Sequence, residues 1–345
     1  MRRCFLHVGT YKTGTTAIQS TLDNHRTALA EHGFLYPRAG IIPNLFAHHN
    51  VAWEIAGNSS FQPDYGTIDE LIREIGNSKH DVVLSSEHFI QAFPRLTDFQ
   101  SFLKRLKQCD LQIALVVYFR NPPDYFRSAY FEILRAGCPV PFGPFISAML
   151  ERRIVQWGNR SAGRIDVVDA LRQLARDKDI EIIAHSYDRS QNSIVADFLS
   201  MLRLTPADLG IENEVRANQR PGIGEAFTLF YGNRAGRPPN ASEAWLISCL
   251  ADSLGDDEIH MTTHAKRQLL AKYDDQTQFL KQYGVPGLDD PATKGGVAIA
   301  ESESRSCLED VFSATTANFI EKTANRLRHE TAGTYAGSLG PMDQN

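Results

Sequence analysis

The segment that most restricts this chain is RRCFLHVGTYKTGTTAIQSTLDNH, residues 2–25. A short apolar run, Cys4 to Val8, breaks into a Gly/Thr-rich stretch holding one lysine, Lys12, and then opens into a helical pattern. A strand that hands over to a helix through such a turn gathers donors. The first N–H groups of the helix have no intrahelical acceptor, and the helix dipole leaves partial positive charge there. Gly9 and Gly14 permit backbone angles and close approaches that other residues resist. Thr13, Thr15 and Thr16 add hydroxyl donors, and Lys12 adds a full charge. These residue types describe a pocket for an anion the size of phosphate or sulfate, although a Gly/Thr turn with a solvated lysine also fits this segment taken alone.

The same alternation recurs downstream. Cys4–Val8, Asp81–Ser85, Gln112–Phe119 and Ile180–Ala184 are short apolar runs without clear alternation, the pattern of parallel strands covered on both faces. Helical patterns separate them: Thr16–Ala30 with Ile18, Leu22 and Leu29 on one face, then Ile68–Ile75, Phe99–Lys107 and Ile165–Arg176. Strands alternating with helices predict an α/β fold with a central parallel sheet and right-handed crossovers. After Pro206 only helices are read, near Gly222–Asn233, Ser242–Ser253 and Thr263–Tyr283. A Gly/Pro/Asp/Ser-rich linker is expected near 285–306, then a last helix, Cys307–Arg328, and a tail from about Glu330 that is expected to be mobile. The organisation expected is a nucleotide-binding domain over 1–235 and a helical C-terminal region over 236–345.

A formal net charge of −5 argues against a nucleic-acid or membrane-surface partner, while leaving room for a local anion site. No apolar run is long enough to span a bilayer. The first strand begins at once, so no signal peptide is expected. Cys4, Cys109, Cys138, Cys249 and Cys307 are odd in number and lack metal-ligand spacing, which predicts a reduced, cytoplasmic setting.

The loop is not a Walker A motif, in which the lysine follows the second glycine; here GTYKTGTT puts it before. It resembles the 5′-phosphosulfate loop of the sulfotransferases that use 3′-phosphoadenosine 5′-phosphosulfate (PAPS) on a P-loop NTPase-like three-layer fold. The resemblance implies a second signature, an arginine followed after seven residues by a serine, gripping the 3′-phosphate. LVVYFRNPPDYFRSAYFEILRAG supplies it as Arg120 and Ser128. Asn121 suits an N-cap, Pro122 the first helical position and Asp124 the first turn, so Arg120 is expected at the carboxyl edge of the sheet. VRANQRPGIGEAFTLFYGNR is similar to the family's later loop, where Arg216, Asn218 and Arg220 would close over the nucleotide. One position departs: many members carry tryptophan after the loop threonines, and here Ala17 stands there.

As the resemblance has it, Gly9, Lys12, Thr13, Gly14, Thr15, Thr16, Arg120, Ser128 and Arg220 bind PAPS, and PAP is the product left after transfer to a hydroxyl of a glycan or glycolipid. Transfer needs in-line placement and neutralisation of charge on the bridging oxygen, a role for Lys12 without a metal. It also needs a base. VVLSSEHF offers Glu87, expected at the end of the second strand, and His88; NLFAHHNVAWEIAG offers His48 and His49. Glu87 is favoured because a strand end fixes it, and His49 comes second; a salt bridge, helix cap or packing role is the alternative for each. Trp53, Phe46 and Trp157 either line a sugar-binding surface or belong to the core. Two rival functions stand beside this: a magnesium-dependent P-loop kinase or nucleotide phosphohydrolase, and a scaffold that binds PAPS or PAP without turnover.

Overall fold

Cys4, Leu6 and Val8 point to one side of the sheet and Phe5 to the other, and both sides are buried. The apolar runs read as unbroken because helices cover the sheet on each face. The computed structural model describes residues 1–153, 155–157, 160–162, 167–190, 193–212, 223–254, 261, 263–288, 320 and 322–323. Its strands are β1 (Arg2–His7), β2 (Phe34–Leu35), β3 (Asp81–Ser85), β4 (Leu111–Phe119), β5 (Val155–Trp157), β6 (Arg160–Ala162) and β7 (Ile180–Ser186).

Five of them make one parallel sheet in the order β2-β3-β1-β4-β7. Leu84, Leu6, Leu115 and Ile182 stand in register across it, one row of the larger core. That core takes Val51 and Ile55 from helix His49–Ala56, Phe99 and Phe102 from Leu96–Lys107, Leu171 from Val168–Leu174 and Phe279 from Asp274–Gln282. The opposite face joins Phe5, Val83 and Val116 to Ile18 and Leu22 of helix Thr15–Asn24 and to Phe198 of helix Ile194–Met201. The result is a three-layer α/β fold.

All four expected strands are present to within two residues at each end. Phe34–Leu35, too short for periodicity to show, was not expected, and neither was the antiparallel pair β5–β6. Two expected helices are each broken in two. Thr15–Asn24 and Arg26–Glu31 meet at His25, whose Nδ1 pairs with the Thr21 carbonyl at 2.9 Å. Thr263–Lys272 and Asp274–Gln282 meet at Tyr273. Helix Ile68–Gly76 starts on a full capping box, Thr67 with Glu70.

The compact units follow a different division from 1–235 and 236–345. The first comprises Met1–Pro122, Ile165–Asn218 and Tyr273–Val297; the second comprises Pro123–Arg164, Gln219–Lys272 and Ala298–Asn345. The expected linker at 285–306 also begins inside the fold: Leu288 is fully buried in the larger core, and its carbonyl accepts from Asn121 Nδ2 at 2.9 Å. Residues 289–306, Cys307 and the tail lie outside the described residues, as does all of the expected last helix except Ile320, Lys322 and Thr323.

In the second unit, Tyr130 packs on Phe142 and Phe145, with ring centroids 5.0 and 5.1 Å away. Asn233 Nδ2 donates to the carbonyls of Leu134 and Cys138. Arg237 and Tyr231 both bond the fully buried Glu243. No described helix is long and apolar enough to cross a membrane.

Candidate active site

Three neighbouring strands of the first unit deliver the candidate residues at their carboxyl ends, the edge where open α/β sheets bind ligands. β1 runs into the Lys12 loop, β3 into Ser86–Glu87–His88, and β4 into Arg120. β3 lies directly beside β1, so Glu87 follows a strand end adjacent to the one that runs into the loop.

Lys12 and Gly14 both adopt left-handed backbone angles, φ 64° and 74°, which turn the chain sharply between strand and helix. Two inward hydroxyls staple the loop: Thr13 Oγ1 donates to the Thr10 carbonyl at 2.5 Å, and Thr10 Oγ1 donates to the Tyr118 carbonyl at 2.8 Å. Gly9 is required by space. A Cβ there would lie 2.8 Å from Thr15 Cγ2 and 3.0 Å from His7 Nε2. Helix Thr15–Asn24 has no acidic residue in its first turn, so nothing on the helix itself offsets the positive end of its dipole. Thr13 and Thr15 are buried and Thr16 is exposed.

Arg120 is buried, and its Nη1 donates to the Lys12 carbonyl at 2.8 Å, while its guanidinium lies 5.1 Å over the Tyr187 ring. The Asn121 N–H donates to Asp188 Oδ2 at 2.6 Å, pinning the turn that follows. The structure therefore joins the Arg120 side chain to the main chain of the Lys12 loop. Ser128 is partly buried in helix Pro122–Arg135 and belongs to the second unit. Arg216, Asn218 and Arg220 lie outside the described residues.

The proposed bases separate cleanly. His48 is fully buried, and both ring nitrogens are engaged: Nδ1 accepts from the Ser85 N–H at 3.2 Å, and Nε2 meets the Pro37 carbonyl at 3.1 Å. A main-chain N–H can only donate, so the proton of His48 is on Nε2 and the ring is a strut between the end of β3 and the Pro37 segment. Its place among the candidate bases is thereby corrected. His49, Glu87 and His88, by contrast, each bring one ligand-type atom to within 4.8 Å of the others. The His49 and His88 rings meet edge to face at 4.6 Å, and Trp53 packs on both. Trp53 thus joins the site, whereas the side chain of Trp157 is outside the described set.

Burial is the largest influence on Glu87 and pushes its carboxyl upward. His49, the Gln19 amide, its own main-chain N–H and His88 together outweigh it, and the net shift is downward. Gln19 Nε2 donates to Glu87 Oε2 at 2.7 Å. His49 is lowered, by burial first, with Glu87 opposing. At neutral pH the pair is a carboxylate beside a neutral imidazole, an arrangement able to accept a proton from a hydroxyl.

Several participants were not expected from sequence. Gln19, Gln91, Tyr11 and His7 are ordinary helix, loop and strand residues until the fold assembles them. Gln91 alone carried a signal, standing three residues after His88 on what proves to be a 3-10 segment, Glu87–Arg95, in which such neighbours eclipse. His7 lies under the loop, its Nδ1 2.8 Å from Ser85 Oγ, and burial lowers it to about 4.

Fold and site together define a three-layer α/β protein with a lysine-bearing, helix-capped loop and a carboxylate–imidazole cluster on adjacent strand ends. No family model, curated protein or solved structure matches the chain.

Proposed function

We propose that the chain is a PAPS-dependent sulfotransferase of P-loop type acting on a hydroxyl, in a cytoplasmic setting, with a glycan or glycolipid as the acceptor class. The observation that carries this reading is the junction of the Lys12 loop with Arg120, an Nη1–O distance of 2.8 Å. The guanidinium at one strand end is anchored on the main chain of the lysine-bearing loop at the adjacent strand end, which suits a donor anionic at both its 5′ and 3′ positions. The chain's donor set fits such a ligand: the N-terminus of helix Thr15–Asn24, which carries no acidic residue in its first turn, the loop lysine and a planar guanidinium. PAPS supplies the activated sulfuryl group when bound.

In this reading Arg120 holds the 3′-phosphate. Lys12 neutralises charge on the departing nucleotide, and Thr15 and Thr16 orient the sulfonate. Glu87 accepts the proton of the acceptor hydroxyl, with His49 beside it. Gln19 holds the carboxylate in place through its 2.7 Å hydrogen bond.

Transfer of label from PAPS to a panel of glycans, together with calorimetry against PAP and ATP–Mg²⁺, tests the proposal. Tight PAP binding independent of metal, with labelled product, is expected. Metal-dependent ATP binding in its place would point to a kinase or phosphohydrolase, and PAP binding without transfer would point to the scaffold.

A further inference from the structure

A chain of hydrogen bonds behind His88 has a direction that one backbone amide sets. The Ser60 N–H donates to Asn58 Oδ1 at 2.9 Å. Because a main-chain N–H only donates, the Asn58 atom facing it is the amide oxygen, and the other end is the NH₂. That NH₂ donates to Gln91 Oε1 at 3.1 Å, which turns Gln91 Nε2 the other way. Gln91 Nε2 lies 2.7 Å from the Tyr11 hydroxyl and 2.6 Å from His88 Nδ1, and the same hydroxyl is 3.1 Å from Nδ1. An amide N–H facing a ring nitrogen at that distance requires a lone pair on it.

We infer that Asn58 and Gln91 are positioning residues that hold neutral His88 with its proton on Nε2, so that His88 brings an N–H donor to the site and not a base. Two consequences follow. First, His49, Glu87 and His88 have the composition and spacing of a two-histidine, one-carboxylate metal centre. A metal-bound histidine donates its second ring N–H outward, and here the second position accepts instead. The chain's own hydrogen bonds therefore keep this cluster a proton-handling site. Second, proton acceptance falls to Glu87 with His49, which rests on the sulfotransferase reading; the tautomer of His88 does not. Tyr11 stands beside Lys12, so the same network ties the anion loop to the base cluster.

Nitrogen-15 NMR of the histidine-labelled full chain at pH 8, with His88 assigned by a His88→Gln spectrum, reads the tautomer without any nucleotide or acceptor. The wild type is expected to carry the proton on Nε2. Gln91→Glu replaces the donor with an acceptor of the same shape and should move the proton to Nδ1. Asn58→Asp should do the same by turning the Gln91 amide around, and should raise Zn²⁺ affinity at least tenfold over wild type. A wild-type proton on Nδ1 overturns the inference, as do two variants that both leave Nε2 protonated, or wild-type zinc binding as tight as that of Asn58→Asp. Should either variant fail to fold, the wild-type spectrum alone decides. Loss of transfer activity with the expected tautomers would count against the sulfotransferase reading and leave the network intact.

Discussion

Arg120 donates through Nη1 to the main-chain oxygen of Lys12 at 2.8 Å, so the guanidinium of one strand end braces the lysine-bearing turn of the next. Under the proposed function this guanidinium also holds a phosphate. Arg120→Ala should weaken PAP binding by about 1.5–3 kcal/mol, the range for a charged hydrogen bond, or roughly 10- to 100-fold. Arg120→Lys should recover little of this, since an ammonium lacks the planar fork. Calorimetry with PAP checks both, and wild-type affinity in Arg120→Ala would put the 3′-phosphate elsewhere.

Lys12 should act on turnover more than on affinity. Removal of one preorganised charge stabiliser lowers kcat by about 10²–10³-fold in acyl-transfer sites, and Lys12→Ala is expected to fall in that range. PAP affinity should change far less than in Arg120→Ala. Single-turnover kinetics separate the two, and a loss of affinity with turnover unchanged would make Lys12 a binding residue only.

Glu87 is held below the ordinary carboxylate value, despite the opposing push of burial, by His49, Gln19, its own N–H and His88. Under the proposed function the carboxylate is the active form, so activity should persist as pH falls through 6 and be lost only as pH drops through the lowered value of Glu87, below about 4.3. His49, lowered by burial, stays neutral over the upper part of that range. Glu87→Gln should cut kcat by about 10²-fold or more with PAP affinity retained. An acid limb centred near 6.5 that survives Glu87→Gln would transfer the base role to a histidine.

Two buried histidines make stability depend on pH. Burial, reinforced by Arg26 and opposed by the bond to Pro37, lowers His48 to about 3; burial, opposed by Glu87, lowers His7 to about 4. The unfolded chain takes up these protons near pH 6.5 and the folded chain does not, so stability is full above pH 6.5 and declines as pH falls toward 4. Each histidine contributes a slope of about 1.4 kcal/mol per pH unit in that window. Urea unfolding at pH 7, 6 and 5 should show the decline, and His48→Gln should make it shallower by up to about 1.4 kcal/mol per pH unit. An unchanged slope in that variant would mean that His48 titrates in the folded chain.

The Lys12 loop, its flanking strand and helix, and the place of Arg120 at a strand end were legible because they are local. Apolar runs covered on both faces, a Gly/Lys/Thr turn and a proline at the first helical position each declare themselves within a few residues. The two-residue strand Phe34–Leu35 was not legible, because it exists only through its pairing with Asp81 and Val82. The linker expected from Val285 onward has polar composition, yet Leu288 within it is fully buried, a fact of packing and not of composition.

His48 and His49 mark the boundary most clearly. In sequence they are adjacent and chemically identical, and both entered as candidate bases. In the fold, one ring is spent between the Ser85 N–H and the Pro37 carbonyl, while the other faces Ser86, Trp53 and His88. Gln19 reaches Glu87 across 68 residues, and Gln91 reaches Tyr11 across 80. Residue type and local spacing determined that this chain builds a Gly/Lys/Thr turn between a strand and a helix of an α/β sheet. Which side chains share a proton, and in which direction, was decided only when strand order and burial brought distant segments together, because hydrogen bonds form between neighbours in space.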